Sequence, residues 1–369
     1  MNTTDNKILS SAPTISMLTN TRKIYNEGSF NSFAYNNFNS FENFLKTNKN
    51  LSIDNFIEAG DEKDRELLNL CWEVTYFCQY RCSYCYMEDT LTDKFDNSLL
   101  NHYKIVLNKL KLRNTPNFNV EVLGGEPTTH PKIFNIIEEL NKNKKCKRVE
   151  LVTNLTKPAS FYKKFDNQKY NKLYISGSYH NEYAKNDIFL KKCIELHNMK
   201  NCNFYTNINF PAEEEKWDKI FSFMEELNKN NLIFHINLLH PTSTYNGFNF
   251  KTDTNKTIEI LKKIINYSKN YKGFNLLENN IQRQIRLKDK DNNTVYIPEI
   301  FLRSLKLDRF KGWKCTAKVW GIDPKGKFTH DCTNEELDLL NKKFNDCVIC
   351  PVSNGCRCDL MLNHKKIKV

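Results

Sequence analysis

Nothing in this chain of 369 residues resembles a membrane span, because no apolar run reaches the roughly 18 residues that a crossing helix needs. The first residues, Met1-Asn2-Thr3-Thr4-Asp5-Asn6, lack a basic segment followed by an apolar stretch, so no signal peptide is expected. A cytoplasmic location follows as the expectation. The cysteines number thirteen, an odd and clustered set, and do not form the even framework of a disulfide-stapled domain. In a reducing compartment such thiols stay available to metals. Residues 1–50 are poor in aliphatic side chains and rich in Asn, Ser and Thr. They read as a partly ordered arm with one short helix near 41–47, either solvated or docking a substrate. The first 66 residues also lack the strand signals that a winged leader-peptide-binding module needs.

What is present is enough apolar content, 40%, for a sizeable core, and a formal charge of +12. Much of that charge is Lys scattered among Asn. The closing Lys365-Lys366-Ile367-Lys368 reads as a solvated tail, with nucleic acid as its alternative partner.

From about residue 67, strand and helix signals alternate six times. Strands are expected at 68–77, 118–123, 148–153, 172–178, 202–209 and 232–239, and helical patterns at 98–111, 131–140, 188–199, 212–230 and 254–269. Six βα units in succession imply an α/β fold, a partial (β/α)6 TIM-like barrel, with reacting groups at the C-terminal ends of its strands. Past residue 270 the pattern changes to two hairpins, 282–287 with 294–297 and 317–322 with 327–330. The second turns through Asp323-Pro324-Lys325-Gly326. The expected organisation is a polar extension (1–66), a barrel (67–270) and a small irregular cysteine-rich module (271–369).

Just past the first strand comes Cys78-Gln79-Tyr80-Arg81-Cys82-Ser83-Tyr84-Cys85. Three thiols in eight residues can converge on one metal centre, one thiolate short of the four that close a cubane iron–sulfur cluster. A metal position without a protein ligand is a place for chemistry. After the second strand, Gly124-Gly125-Glu126-Pro127 lets a ligand approach the backbone, and Glu126 can accept a hydrogen bond from an ammonium group. Thr153-Asn154 and Ser176-Gly177-Ser178-Tyr179-His180 end the next two strands. His180 and Glu182 read equally as substrate contacts or as an exposed loop pair. His235 and His240 read as packed or solvated, and Cys71, Cys146, Cys193 and Cys202 as inert buried thiols.

On the spacing Cys-x3-Cys-x2-Cys and the Gly-Gly-Glu-Pro segment, residues 68–270 resemble the radical S-adenosylmethionine (SAM) superfamily. The resemblance implies that Cys78, Cys82 and Cys85 bind three irons of a [4Fe–4S] cluster, with SAM's amino and carboxylate groups on the fourth. Tyr84 would lie near the adenine, and Gly124, Gly125 and Glu126 would hold the methionine amino group. Asn154 and either Ser176 or Ser178 would meet the ribose and carboxylate. It further implies reductive cleavage of SAM to methionine and a 5′-deoxyadenosyl radical, which takes hydrogen from a substrate. A low-potential donor such as flavodoxin or ferredoxin would supply the electron.

The C-terminal set Cys315, Cys332, Cys347, Cys350, Cys356 and Cys358 resembles the SPASM and twitch extensions of that superfamily. A full SPASM module continues with Cys-x3-Cys, whereas here Cys356-x-Cys358 follows. One auxiliary [4Fe–4S] cluster on Cys315, Cys332, Cys347 and Cys350 is therefore the economical expectation, with Cys356 and Cys358 spare or substituting. Tetrahedral zinc is the alternative. The resemblance points to a peptide or protein side chain as substrate. A small molecule, an RNA, or a non-catalytic zinc-stapled nucleic-acid-binding protein are the other readings.

Overall fold

The computed structural model describes residues 51–60, 67–239, 245–247, 284–298, 305–316, 319–330, 332–333, 347–353, 355–356 and 364–369, with 259, 263, 302 and 336 besides. The helix expected at 41–47, most of that expected at 254–269, His240 and Cys358 lie outside the described residues.

A short strand β1 (Phe56–Ala59) precedes the repeat. The six expected strands follow as β2 (Leu68–Glu73), β3 (Phe118–Leu123), β4 (Cys146–Thr153), β5 (Leu173–Tyr179), β6 (Asn203–Phe210) and β7 (Phe234–Leu238). Between them lie α1 (Tyr103–Leu110), α2 (Ile133–Lys142), the single turn α3 (Ala159–Tyr162), α4 (Asn186–His197) and α5 (Trp217–Lys229). Each of β2 to β7 pairs in parallel with the next. The C-terminal part adds β8 (Gln284–Asp289), β9 (Thr294–Pro298), β10 (Lys314–Cys315), β11 (Val319–Ile322), β12 (Phe328–His330), β13 (Val348–Ile349) and β14 (Lys366–Ile367).

Apolar periodicity explains the helix packing. In α2, Ile133, Ile136, Ile137 and Leu140 recur at helical spacing and all are buried. Trp217, Ile220, Phe223, Met224 and Leu227 do the same for α5. Each such side chain contributes about 1.5–3 kcal/mol when fully buried. The strands alternate between the two faces of the sheet. On the helix-covered face, Tyr179 stacks on Phe223 with centroids 4.1 Å apart, and Thr206 lies 3.5 Å from the Cys193 sulfur of α4. The opposite, inner face is polar. There Arg148 pairs with Glu150 at 2.9 Å, Tyr205 donates to Glu150, and Asn207 donates to Ser176 Oγ at 2.7 Å.

The second hairpin is not part of a separate module. Strand β11 pairs in parallel with β2, Val319 opposite Asn69 through Ile322 opposite Trp72, so the sheet has eight strands in the order β12-β11-β2-β3-β4-β5-β6-β7. Among the described residues β12 and β7 do not pair with each other, so the sheet stays open as a partial barrel. The hairpin's turn sits on α1, where Lys109 Nζ donates to Gly326 O at 3.1 Å. A second, antiparallel sheet has the order β13-β10-β14-β1-β8-β9. It joins β1, before residue 66, to strands beyond 270, so both sheets cross the boundaries expected from the sequence. The closing lysines are not a solvated tail either. Strand β14 lies between β1 and β10, and Lys366 is only 1% exposed. Among the described residues no helix is long and apolar enough to cross a membrane.

Candidate active site

Beyond β2 the chain does not leave the sheet at once. Val74 N donates to Leu123 O, and the two glycines then meet residues 75–77. Gly125 N donates to Thr75 O at 2.8 Å and Glu126 N to Phe77 O at 2.7 Å. A Cβ on Gly125 would stand 2.3 Å from Phe77 O, and one on Gly124 would stand 2.4 Å from Thr75 O. Gly124 also has φ of +137°, a conformation that side-chain-bearing residues avoid. Both positions therefore require glycine, because the segment leading into Cys78 lies directly on the end of β3. The cysteine loop and the Gly-Gly-Glu loop are one hydrogen-bonded unit.

Glu126 is fully buried and holds the ends of β3 and β4 together. Its Oε1 accepts from Thr128 N at 3.1 Å, from the Thr128 hydroxyl, and from Thr153 Oγ1 at 2.7 Å. Its Oε2 accepts from Asn154 N at 2.8 Å, which leaves that oxygen a second lone pair. Burial raises the Glu126 pKa, opposed by these bonds to the carboxylate. The turn that aims Asn154 N at Glu126 is strained: Leu155 has φ of +53°, rare for a bulky side chain. Its buried side chain is accommodated by Gly177, where a Cβ would stand 2.7 Å from Leu155 Cδ1.

The cysteine loop is clamped from three sides. Gln79 donates to the Thr156 hydroxyl beyond β4. Glu182 beyond β5 accepts from Ser83 N at 3.0 Å and from Ser83 Oγ, and Lys216 lies 3.5 Å from it. Tyr183 OH donates to Arg81 O at 2.8 Å while accepting from Arg81 N at 3.2 Å. Of the pair His180 and Glu182, then, Glu182 is engaged in holding the loop. His180 Nδ1 lies 3.1 Å from Tyr84 OH and 3.4 Å from both the Cys82 sulfur and Asn209 Nδ2. Burial lowers the His180 pKa to about 4, so the ring is neutral at pH 7.

Cys78, Cys82 and Cys85 line one cavity of about 290 Å³, together with Tyr84, Gly124, Gly125, Glu126, Asn154 and Ser178. These come from the C-terminal ends of four successive strands, where a βα fold gathers its reacting groups. Ser176 is not among them; it is fully buried one layer below, against Asn207. Asn207, Asn209 and Asn237 do line the cavity and were not singled out from the sequence. Their signal was available: Tyr205, Asn207 and Asn209 alternate with Thr206 and Ile208, placing amides on the inner face.

Burial pushes the Cys78 thiol up to about 11 and Cys82 up to about 12, and raises Cys85 as well. The ligand-free thiols are therefore neutral, and metal binding must release their protons. Three soft sulfur donors around one cavity, with a carboxylate and glycine backbone opposite, fit the donor set of a cluster with one open iron. Among the described residues no three His, Cys, Asp or Glu side chains are grouped closely enough for a single metal ion. A cubane differs, since its thiolates bind different irons.

The other cysteines divide by environment. Cys146, Cys193 and Cys202 are buried, and burial pushes the first two up to about 12 and raises the third. Cys71 lies 3.8 Å from Glu121 Oε2 on the inner face. His235 is buried with its ring edge-on to Tyr205. Toward the C-terminus, Cys315 on β10 faces Val348 of β13, so Cys347 and Cys350 flank its partner. Cys350 N donates to Trp313 O at 2.8 Å. Burial raises the Cys350 thiol, as does nearby Cys315, while the Lys366 ammonium pulls it down. Cys347 is exposed, Cys356 is buried near Asp308, and Cys332 follows β12 in the other sheet. The described cysteines form no disulfide.

Against known proteins, residues 72–195 match the family described as the radical SAM superfamily. The GTP 3',8-cyclases of two Actinobacillus pleuropneumoniae strains are 26% identical over 106 residues, which is 29% of this chain and 31% of theirs. The chain thus aligns with under a third of the length of these relatives. Among solved structures, Streptococcus suis SuiB bound to precursor peptide SuiA superposes with a TM-score of 0.51 at 14% identity, covering 76% of this chain and 64% of SuiB. SuiB bound to S-adenosylmethionine gives 0.50 at 13% identity, covering 88% and 75%. At such identities the likeness speaks for the fold. The family match spans both motifs and the ends of β2 to β5, so residues 72–195 carry a radical SAM domain.

Proposed function

We propose that Cys78, Cys82 and Cys85 hold a [4Fe–4S] cluster whose open iron takes SAM, and that the enzyme modifies a side chain of a peptide or protein. When bound, this pair supplies one-electron reductive cleavage of SAM and hence abstraction of a substrate hydrogen. The chain's own contribution is position and exclusion of water. The 75–77 segment fixes the cysteine loop against Gly124 and Gly125. Glu126 keeps one carboxylate lone pair for the methionine ammonium, beside the glycine backbone. Tyr84 and Ser178, both buried on the cavity wall, would meet the adenosine in this proposal. The single observation that carries the reading is that all three thiols share one cavity with the glutamate-bearing loop.

A peptide substrate is supported by the fold shared with SuiB, a protein solved with a precursor peptide. A nucleotide is the second reading, favoured by the segment similar to GTP 3',8-cyclases. The C-terminal cysteines, in this proposal, hold one auxiliary metal–thiolate centre built on Cys315 and Cys350, and the electron donor is a low-potential protein. The test is 5′-deoxyadenosine formation by the anaerobically reconstituted enzyme with GTP or with linear peptides added. Stimulation by peptide is expected, and stimulation by GTP alone would transfer the assignment to nucleotides.

A further inference from the structure

Three tyrosines of the cysteine loop line the cavity, and the chain packs rings against two of them. Tyr80 stacks on Tyr183 with centroids 4.5 Å apart. Tyr84 stacks on His180 and stands edge-on to Tyr245. Tyr86, directly after Cys85, has no ring or hydrogen-bond partner among the described residues, and it is 70% exposed. Of the exposed large apolar side chains described, it alone lines the cavity. An open aromatic ring in a binding hollow is apolar surface for a ligand to cover.

The carboxamides of β6 and β7 divide in the same way. Asn207 is engaged with Ser176 Oγ at 2.7 Å. Asn209 is directly opposite Asn237 in the parallel pairing, so both face the lumen. Its Oδ1 accepts from Asn237 Nδ2 at 3.2 Å, and its Nδ2 lies 3.4 Å from His180 Nδ1. Asn237 ends this row and is exposed at the rim of the cavity. A carboxamide has two N–H donors and an acceptor oxygen. The bond to Asn209 uses one donor and fixes the plane of the group. The second N–H and Oδ1 have no partner among the described residues. A group held in place with a donor and an acceptor unused is preorganised for a ligand that carries both.

We propose that Asn237 and Tyr86 are the substrate-binding residues of this cavity. The carboxamide pairs with an amide N–H and C=O of the substrate, and the phenol ring covers the apolar or planar group attached to that amide. This rests on the radical SAM reading of the cavity and narrows its substrate to an amide. A peptide backbone carries that chemistry, and so does the lactam edge of guanine.

The test measures 5′-deoxyadenosine formed from SAM by the full chain, reconstituted anaerobically and reduced with dithionite. The probes are a pool of N-acetylated, C-amidated linear pentapeptides, GTP, and ATP, whose adenine has no lactam. Stimulation by the peptides or by GTP is expected, which separates the two sources, and none by ATP. For the stimulating probe, Asn237→Leu and Tyr86→Ala should each raise the half-saturating concentration at least tenfold. Tyr86→Phe, which keeps the ring, should hold the parental value. The half-saturating concentration of SAM and the iron per chain should not move. Should Asn237→Leu fail to fold, Asn237→Ser takes its place. Parental half-saturation in the Leu and Ala variants would overturn the proposal, as would a raised requirement for SAM or equal stimulation by ATP. So would a wild type that cleaves SAM but answers to neither amide probe. A wild type that forms no 5′-deoxyadenosine at all overturns the radical SAM reading, and this inference with it.

Discussion

Replacing Gly125 by Ala tests the coupling between the two motif loops. Gly125 has an ordinary backbone conformation, so its requirement is steric. The added Cβ would meet three backbone atoms, Phe77 O at 2.3 Å, Phe77 C at 2.5 Å and Tyr76 O at 2.8 Å. Backbone cannot rotate away, so residues 75–77 must move. That movement breaks the bonds from Gly125 N and Glu126 N, at about 1 kcal/mol each. Overpacking adds about 1–3 kcal/mol, so the variant should lose on the order of 3–5 kcal/mol in urea unfolding. Because Cys78 follows Phe77 directly, iron bound after anaerobic reconstitution should fall as well. Two alanine controls calibrate the effect. At Gly177 the nearest atom is the flexible Leu155 Cδ1, and at Gly312 nothing lies within 4 Å although φ is +82°. Gly312→Ala should lose only the left-handed penalty of about 1–2 kcal/mol, with iron unchanged. A Gly125→Ala protein with parental stability and iron would refute the claim that the loops form one unit.

Further outcomes follow from the same geometry. Glu182→Ala removes the acceptor of Ser83 N and Oγ, and should lower iron retention under chelator challenge while the far-ultraviolet circular dichroism stays parental. Glu126→Gln places an amide N–H₂ among four donors; one buried bond is lost, so urea unfolding should show a loss of about 1–3 kcal/mol. Burial depresses the His130 pKa from 6.5 to about 4. The unfolded chain therefore binds the extra proton between those values. The stability that neutral His130 contributes is complete above pH 6.5, and falls by up to about 1.4 kcal/mol per unit as pH drops toward 4. In the metal-free protein His130→Gln should flatten that slope by one proton; an unaltered slope contradicts the assignment.

The repeat of six βα units was legible because each helix and strand carries its own period, and β2 to β7 fall close to the positions expected. The cysteine and glycine motifs were legible because their residues are adjacent in sequence. What the sequence hid was long-range pairing. Nothing local in Val319–Ile322 says that it joins β2, or that the Lys-rich end becomes a paired strand beside Cys315. Glu182 looked like a loop residue because Ser83, which it binds, lies 99 residues away. Asn207, Asn209 and Asn237 were passed over since asparagine is common throughout this chain, and only the strand's alternation separates those facing the cavity.

The most direct measurement is 5′-deoxyadenosine released from SAM, with dithionite as reductant, by the anaerobically reconstituted wild-type chain and by Cys82→Ala. The account predicts turnover by the wild type and none by the variant, with the circular dichroism of the two alike. Wild-type protein that carries iron on Cys78, Cys82 and Cys85 yet leaves SAM intact would contradict it.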